Sequence, residues 1–285
     1  SSLAETARAV LFRPEEMLLL VGAPSERRRF LDTILAQRER RVAHDLAELA
    51  RVLAQRNALL RAIRAEEAGT AELAFWDEQL VDVGSRVLHA RLRLIDDLNE
   101  MIGPLHARVA SPRARMAGGA ADGDGDVRLD YVDSLKRGPF GDRRPSVAEL
   151  AGHFRDRLDD VRQKEIWNGM SLVGPHRDDV RALLDGRDVA THASRGQQRT
   201  IILALKLAET DVLADGASGA PIVLLDDVFS ELDVHRTGRA LALLVERGQV
   251  LVTTAELRHL RAEQRRGVPI WHVQDGRLSD APLVA

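Results

Sequence analysis

The spacing of apolar residues changes along this chain, and each change marks a different element. Leu46, Leu49, Leu53, Leu60 and Ile63 fall on one face of a long helix. Trp76, Leu80, Val83, Val87, Leu94 and Leu98 do the same on a second, and Gly69-Thr70 separates the two. The pattern predicts an antiparallel helix pair with arms a few heptads long. Arg56-Asn57 interrupts the first stripe and reads as an exposed or capping detail. A third helix carries Leu150, Phe154, Leu158 and Val161 and opens with the capping box Ser146-Val147-Ala148-Glu149.

The two ends of the chain have a different rhythm. Val10-Leu11-Phe12 and residues 17–21 are strand-like runs around Arg13-Pro14. Residues 22–26 read as a turn, with Ser25 as N-cap of a helix bearing Arg27, Arg28 and Arg29. Residues 127–132 alternate as a strand. Residues 180–184 and 187–190 flank Asp185-Gly186 as a hairpin, and residues 270–278 form another around Asp275-Gly276. Between them lie a helix over 201–209, a strand over 221–225, a helix through 241–245 and a strand over 250–254. Strand-helix-strand order with short connections predicts an α/β lobe with a largely parallel sheet.

Composition narrows the class. At 285 residues there is room for about two domains. Charged residues reach 30 % but the net charge is −3, so DNA binding would have to use local arginine patches. The chain has no cysteine, which removes disulfides and thiolate metal sites and fits a cytosolic protein. No apolar run is long enough to span a membrane, so no membrane partner is expected. Residues 116–126 form a Gly/Ala/Asp-rich loop in which Asp122, Asp124 and Asp126 alternate. The bidentate glutamate of a calcium loop does not follow them.

The candidate chemistry sits in two stretches. Pro221-Ile222-Val223-Leu224-Leu225 reads as a buried strand ending in Asp226-Asp227, followed by a second polar turn, Ser230-Glu231-Leu232-Asp233. Adjacent acids at the carboxyl end of such a strand sit where open α/β sheets bind ligands. One can hold a metal while the other polarises a water, as nucleotide triphosphate hydrolysis requires. Alone, Asp-Asp more often marks a solvated strand end. About thirty residues upstream, Ser194-Arg195-Gly196-Gln197-Gln198-Arg199-Thr200 runs into a strong, apolar helix. Its free N–H groups and dipole make an anion site, although alone it would read as a capped core helix. The two together are much harder to obtain by chance.

The pair resembles the signature motif and the Walker B/D-loop of an ABC-type ATPase, in the branch that holds the SMC and RecF proteins. Phe12-Arg13-Pro14-Glu15-Glu16, Arg28-Arg29-Phe30-Leu31-Asp32, Gln55-Arg56-Asn57 and Gly174-Pro175-His176-Arg177-Asp178-Asp179 extend the resemblance to the RecF family along nearly the whole chain. One departure stands out. No Gly-x-x-x-x-Gly-Lys-Ser/Thr is present, and Lys136, Lys164 and Lys206 all lie outside glycine-rich loops. RecF-like proteins carry that loop upstream of the segment matching residues 11–14, so the sequence is expected to lack an N-terminal part.

The resemblance implies an ABC ATPase head with an inserted helical domain: residues 1–36 and 169–285 in the head, and 37–168 in the helical arm. It implies ATP and Mg²⁺ as cofactors. Asp226 would serve the metal and Asp227 would act as general base. Thr254 or its neighbour Thr253 would sense the γ-phosphate. Ser194, Arg195, Gly196 and Gln197 would face a nucleotide held by a second copy, with Ser230 and Asp233 crossing the dimer interface. The implied activity is ATP-dependent binding to single-stranded DNA and strand junctions with weak hydrolysis, as a homodimer with RecO and RecR as partners that load RecA. Two alternatives stay open: an ABC-shaped interaction module without ATP turnover, and an SMC-like tether, which the short arms disfavour. His176 is a further polar candidate, although a Gly-Pro-His-Arg turn is more often structural.

Overall fold

The computed structural model describes residues 8–110, 125–135, 144–215, 219–228, 234–257, 260 and 262–280. Three parallel strands form the sheet that bears the paired acids. β5 (Ile222–Asp226) lies between β1 (Ala9–Phe12) and β6 (Val250–Thr253), with Phe12 opposite Leu225 and Thr253 opposite Asp226. Val223 and Leu225, which share one face of the strand, are buried, and Ile222 and Leu224 on the other face are half-buried. A second, antiparallel sheet joins β2 (Val127–Val132), β3 (Asp179–Leu184) and the short β4 (Arg187–Asp188). Asp185 and Gly186 both adopt positive φ in its tight turn, the backbone that a two-residue hairpin demands. β7 (Trp271–Gln274) and β8 (Arg277–Asp280) form the expected closing hairpin.

The sequence after β1 departs from expectation. Residues 17–21 are helical, not a strand. Pro14 starts a 3₁₀ turn over Pro14–Met17, which passes directly into α1 (Leu18–Val21). Proline presets φ and gives up no needed N–H at such a start. α2 (Pro24–Arg38) begins on a proline, so the residue before it, Ala23, occupies the N-cap and Ser25 does not. The second hairpin strand is also shorter than expected. From Val189 the chain enters α6 (Val189–His192), capped by the Asp188 carboxylate, which accepts from the Ala190 N–H.

Helices α3 (Arg40–Arg64) and α4 (Leu73–Val109) form the expected pair, with α5 (Val147–Asn168) packed on both. One apolar cluster joins the inner faces of α3, α5 and the first half of α4, including Val52, Leu80, Leu150 and Phe154. The other half of α4 enters a larger cluster with α2, both sheets, the buried helix α7 (Arg195–Ala214) and the inner face of α8 (Val234–Val245). α4 therefore runs through both cores and fixes the helical region against the sheets. Where it crosses α5, a Cβ on Gly84 would lie 2.6 Å from the Phe154 ring, so the close approach depends on glycine.

Arg56 is the main correction. It is neither exposed nor a cap but 1 % exposed, one of the largest fully buried side chains. Its guanidinium donates to Asp77 Oδ1 at 2.8 Å, Ser171 Oγ at 2.8 Å and Glu165 Oε2 at 2.7 Å. Asn57 Oδ1 accepts from the Ser171 N–H and hydroxyl. The polar pair thus ties α3 to α4, to α5 and to the chain after α5.

Candidate nucleotide-site edge

Three strands end in one row. The parallel register sets Thr253 beside Asp226, and Arg13, the residue after Phe12, follows the strand on Asp226's other side. Asp226 is exposed and accepts a 2.6 Å hydrogen bond from the Thr253 hydroxyl. Thr254 turns away: its hydroxyl donates to Glu256 O and accepts from the Glu256 N–H. Of the two threonines, Thr253 is the one the strand brings to the acid.

Asp227 leaves the strand. Its φ of 48° lies in the left-handed region, which aspartate tolerates better than most residues, and its N–H donates to Thr253 O. The two acids therefore part at the strand end, Asp226 exposed on the edge and Asp227 half-buried behind it. Among the described residues no group of three or more His, Cys, Asp or Glu side chains could hold a metal. Asp226 and Thr253 offer two hard oxygens. That is a poor cage for a tightly held ion but suits Mg²⁺, which keeps waters and takes one or two protein ligands plus phosphate oxygens.

The helix start has the expected form. Ser194 is the N-cap of α7, its Oγ accepting from the Gln197 N–H while Gln197 Oε1 accepts from the Ser194 N–H. Ser194 and Arg195 are exposed, and Gly196 and Gln197 half-buried. The next turn faces the carboxylate strand: Arg199, Ile202 and Leu203 line a shallow pocket with Phe12, Arg13 and Val228. Ser230 and Asp233 lie outside the described residues, as do Asp122, Asp124 and Lys136.

Sequence reasoning missed what fixes α7. Lys206, read only as a lysine outside glycine-rich loops, is buried with Nζ 2.6 Å from Glu209 Oε2 and 3.7 Å from Glu16 Oε2. It also stands over the rings of Phe12 and Phe30, near 5.5 Å and 5.4 Å. Burial pushes the Glu209 carboxyl up, and the lysine opposes that shift. This cluster anchors the helix to the turn that carries Arg13. A lysine in an otherwise apolar helix face was the available signal. Arg13 itself had one too, since it directly follows a strand.

His176 lies in a 3₁₀ turn over Pro175–Arg177, with Nε2 at 3.2 Å from Ser171 O. Burial, then Arg177, Arg28 and Arg56, push its pKa down to about 4. Its neighbour Asp178 accepts from the Tyr131 hydroxyl and the Ser134 N–H. Tyr131 also meets Arg91, which holds both Asp32 carboxylate oxygens through its Nε and Nη2. The Gly-Pro-His-Arg-Asp segment thus joins α2, α4 and the second sheet.

The chain is 39 % identical over 280 residues to the DNA replication and repair protein RecF of Heliobacterium modesticaldum, covering 98 % of this chain and 71 % of that protein. The chain belongs to the RecF family. RecF of Chloroflexus aurantiacus is 36 % identical over 276 residues, covering 95 % of this chain and 67 % of the relative. The fold agrees with solved RecF structures. The recombination mediator protein RecF-ATPrS of the RecFOR pathway superposes with a TM-score of 0.81 at 25 % identity, covering 99 % of this chain and 71 % of that one. A RecF-ATP structure gives 0.78. No protein-family model matches the chain. The mixed α/β architecture is therefore that of a RecF-type ABC ATPase. Among the described residues no helix is long and apolar enough to cross a membrane.

Proposed function

We propose that this chain forms the signature and Walker B parts of a RecF-type ATP site that closes between two copies on DNA. Residues 1–36 and 169–285 make the head and residues 37–168 the helical arm. Asp226 meets Mg²⁺ directly or through water, and Asp227 orients and deprotonates the attacking water. The Ser194–Gln197 helix start faces the γ-phosphate of an ATP held by the other copy, with Ser230 and Asp233 at the crossing. Closure then times binding to single-stranded DNA and junctions, with RecO and RecR as partners in loading RecA and slow hydrolysis as the release step. The observation that carries the reading is the 2.6 Å hydrogen bond between Thr253 and Asp226 on the carboxyl edge of a parallel sheet. Relatives named for ATP complexes and DNA repair support it. Thr253 takes the sensing role in preference to Thr254, because only its hydroxyl meets the acid.

A signature helix and a Walker B strand within one head cannot both face the same nucleotide, so nucleotide should drive an isologous dimer. Sedimentation tests this in a form of the protein that carries the glycine-lysine phosphate loop. ATP and Mg²⁺ should convert monomer to dimer at micromolar concentration, and a persistent monomer refutes the reading.

A further inference from the structure

We propose that the far end of the helical region carries a binding strip for single-stranded nucleic acid, formed by Trp167, Lys164, Arg61, Arg64 and Arg177. The inference rests on the reading that this protein works on DNA, and adds where and how a single strand is gripped. Trp167 closes α5 and is 81 % exposed, the most exposed of the large apolar side chains among the described residues. Lys164 precedes it by one turn on the same face and is also exposed. α5 then ends at Gly169 with a φ of 66°, and the arginines of α3 crowd that turn. A Cβ there would lie 3.1 Å from Arg61 Cγ and 3.3 Å from Arg64 Cζ. Arg64 donates to Asn168 O, and Arg177 reaches across to Met170 Sδ at 3.2 Å and to Ser171 O. Trp167, Met170 and the cations therefore share one continuous surface around the helix end.

The charge state of this strip sets it apart. Elsewhere on α3–α5 most arginines meet acids, among them Arg86, Arg91, Arg93, Arg155 and Arg162, each in an ion pair. Among the described residues no carboxylate lies within ion-pair distance of Arg61, Arg64, Lys164 or Arg177, and the guanidinium groups of Arg64 and Arg177 meet only neutral oxygens and a sulfur. Glu165, the acid on the same turn of α5, is 0 % exposed and committed to Arg56. Glu66 and Glu67 follow Arg64 in the turn that closes α3. Uncompensated cations around an open indole face are what a single strand uses, with phosphates on the cations and a base on the ring. A protein dock also favours tryptophan, methionine and arginine, but it would set an apolar core at its centre, deplete lysine and leave few charges there. A duplex keeps its base faces stacked and offers none to Trp167.

The test uses an oligothymidine of about 15 nucleotides, a duplex of the same length, and the chain with Trp271→Phe. That change removes the other exposed tryptophan. The single strand should quench Trp167 emission. Trp167→Ala should weaken its binding about five- to a hundredfold, while Trp167→Phe stays within a few-fold. Reversing Arg61 and Lys164 to glutamate should lower the salt slope by about 0.7 for each phosphate that is no longer neutralised. Unchanged single-strand binding in Trp167→Ala, with no quenching of Trp167 in the parent, overturns the inference, yet leaves the DNA reading standing on another surface. Failure of the parent to bind either DNA sinks both. Quenching by polyglutamate but not by the oligonucleotide also overturns it, because the strip would then be a dock for acidic protein.

Discussion

Arg56 and Asp226 each break an apolar stretch, and the fold uses them in opposite ways. Arg56 points inward, is 1 % exposed and spends its guanidinium on three side chains from three segments. Asp226 points outward from the end of a buried strand and meets one hydroxyl. The buried cation costs desolvation that only complete pairing offsets, so its value to the fold lies in having every partner in place. The exposed acid costs little and returns little. A side chain that does almost nothing for stability, at the ligand-facing end of a sheet, is where selection for chemistry is most easily read.

The largest expected effect breaks this comparison from the helical side. Arg56→Ala would leave Asp77 and Glu165 buried beside a cavity without their cation, although Arg162 still reaches Asp77 Oδ2 at 2.9 Å. The expected loss is about 3–5 kcal/mol of unfolding free energy by urea titration. A loss under about 1 kcal/mol would show that the hub is not a cooperative anchor. Asp226→Asn, measured alongside, should stay within about 0.5 kcal/mol of the parent.

From the sheet side, Asp227→Asn should slow ATP turnover by about 10²–10⁴ in a form carrying the phosphate loop, because a positioned base is worth that much. ATP and Mg²⁺ binding should persist, trapping the closed dimer. Asp226→Asn should instead weaken metal-dependent binding. Stopped-time phosphate release and dimer lifetime separate the two. Equal loss of nucleotide binding in both variants, or normal turnover in Asp227→Asn, would remove the base assignment.

These contrasts explain what was legible in the sequence. The helix pair, the parallel sheet, the Ser146 capping box and the Asp226 strand all follow from local periodicity or local hydrogen bonding, and each is present. Arg56 was misread because its partners lie far along the chain, and the burial of Lys206 was missed because Phe12, Glu16 and Phe30 lie far from it in sequence. Glu165 is 109 residues from Arg56. At Arg56 nothing local distinguishes a buried, fully paired cation from an interruption on a solvent face. Residues 17–21 failed for a different reason: a run of leucines fits strand and helix equally, and Pro14 tipped it to helix. The choice between Thr253 and Thr254 depended on strand register, which one sequence does not carry.

A pH dependence sharpens the comparison at intermediate size. His176 has its pKa pushed down to about 4 in the folded state by burial, against 6.5 when free. The unfolded chain therefore binds more protons between those values, so stability should fall as pH drops from about 6.5 to about 4. The contribution is about 2–3 kcal/mol across that window. Asp178, raised by burial, acts in the opposite direction from its ordinary range upward. His176→Asn should flatten the fall between pH 6.5 and 4 in thermal or urea unfolding, and an unchanged slope would assign the acid sensitivity elsewhere.

The smallest effect decides whether Ser194 serves the fold, the ligand, or both. Its Oγ accepts from the Gln197 N–H at 3.2 Å, so Ser194→Ala should cost about 1 kcal/mol through removal of the cap. Ser194→Asp separates the two roles. Aspartate caps as well as serine and favours the positive end of the helix, so stability should match the parent or exceed it slightly. The same carboxylate would sit where the proposed reading puts a γ-phosphate, and like charges there should abolish ATP-driven dimerisation. Thermal unfolding and sedimentation with ATP on the two variants give a two-by-two outcome. A stable Ser194→Asp that no longer dimerises supports a phosphate-facing helix start built on an ordinary cap. A stable variant that dimerises normally means the helix start is only a cap, and the signature assignment of Ser194, Arg195, Gly196 and Gln197 falls with it.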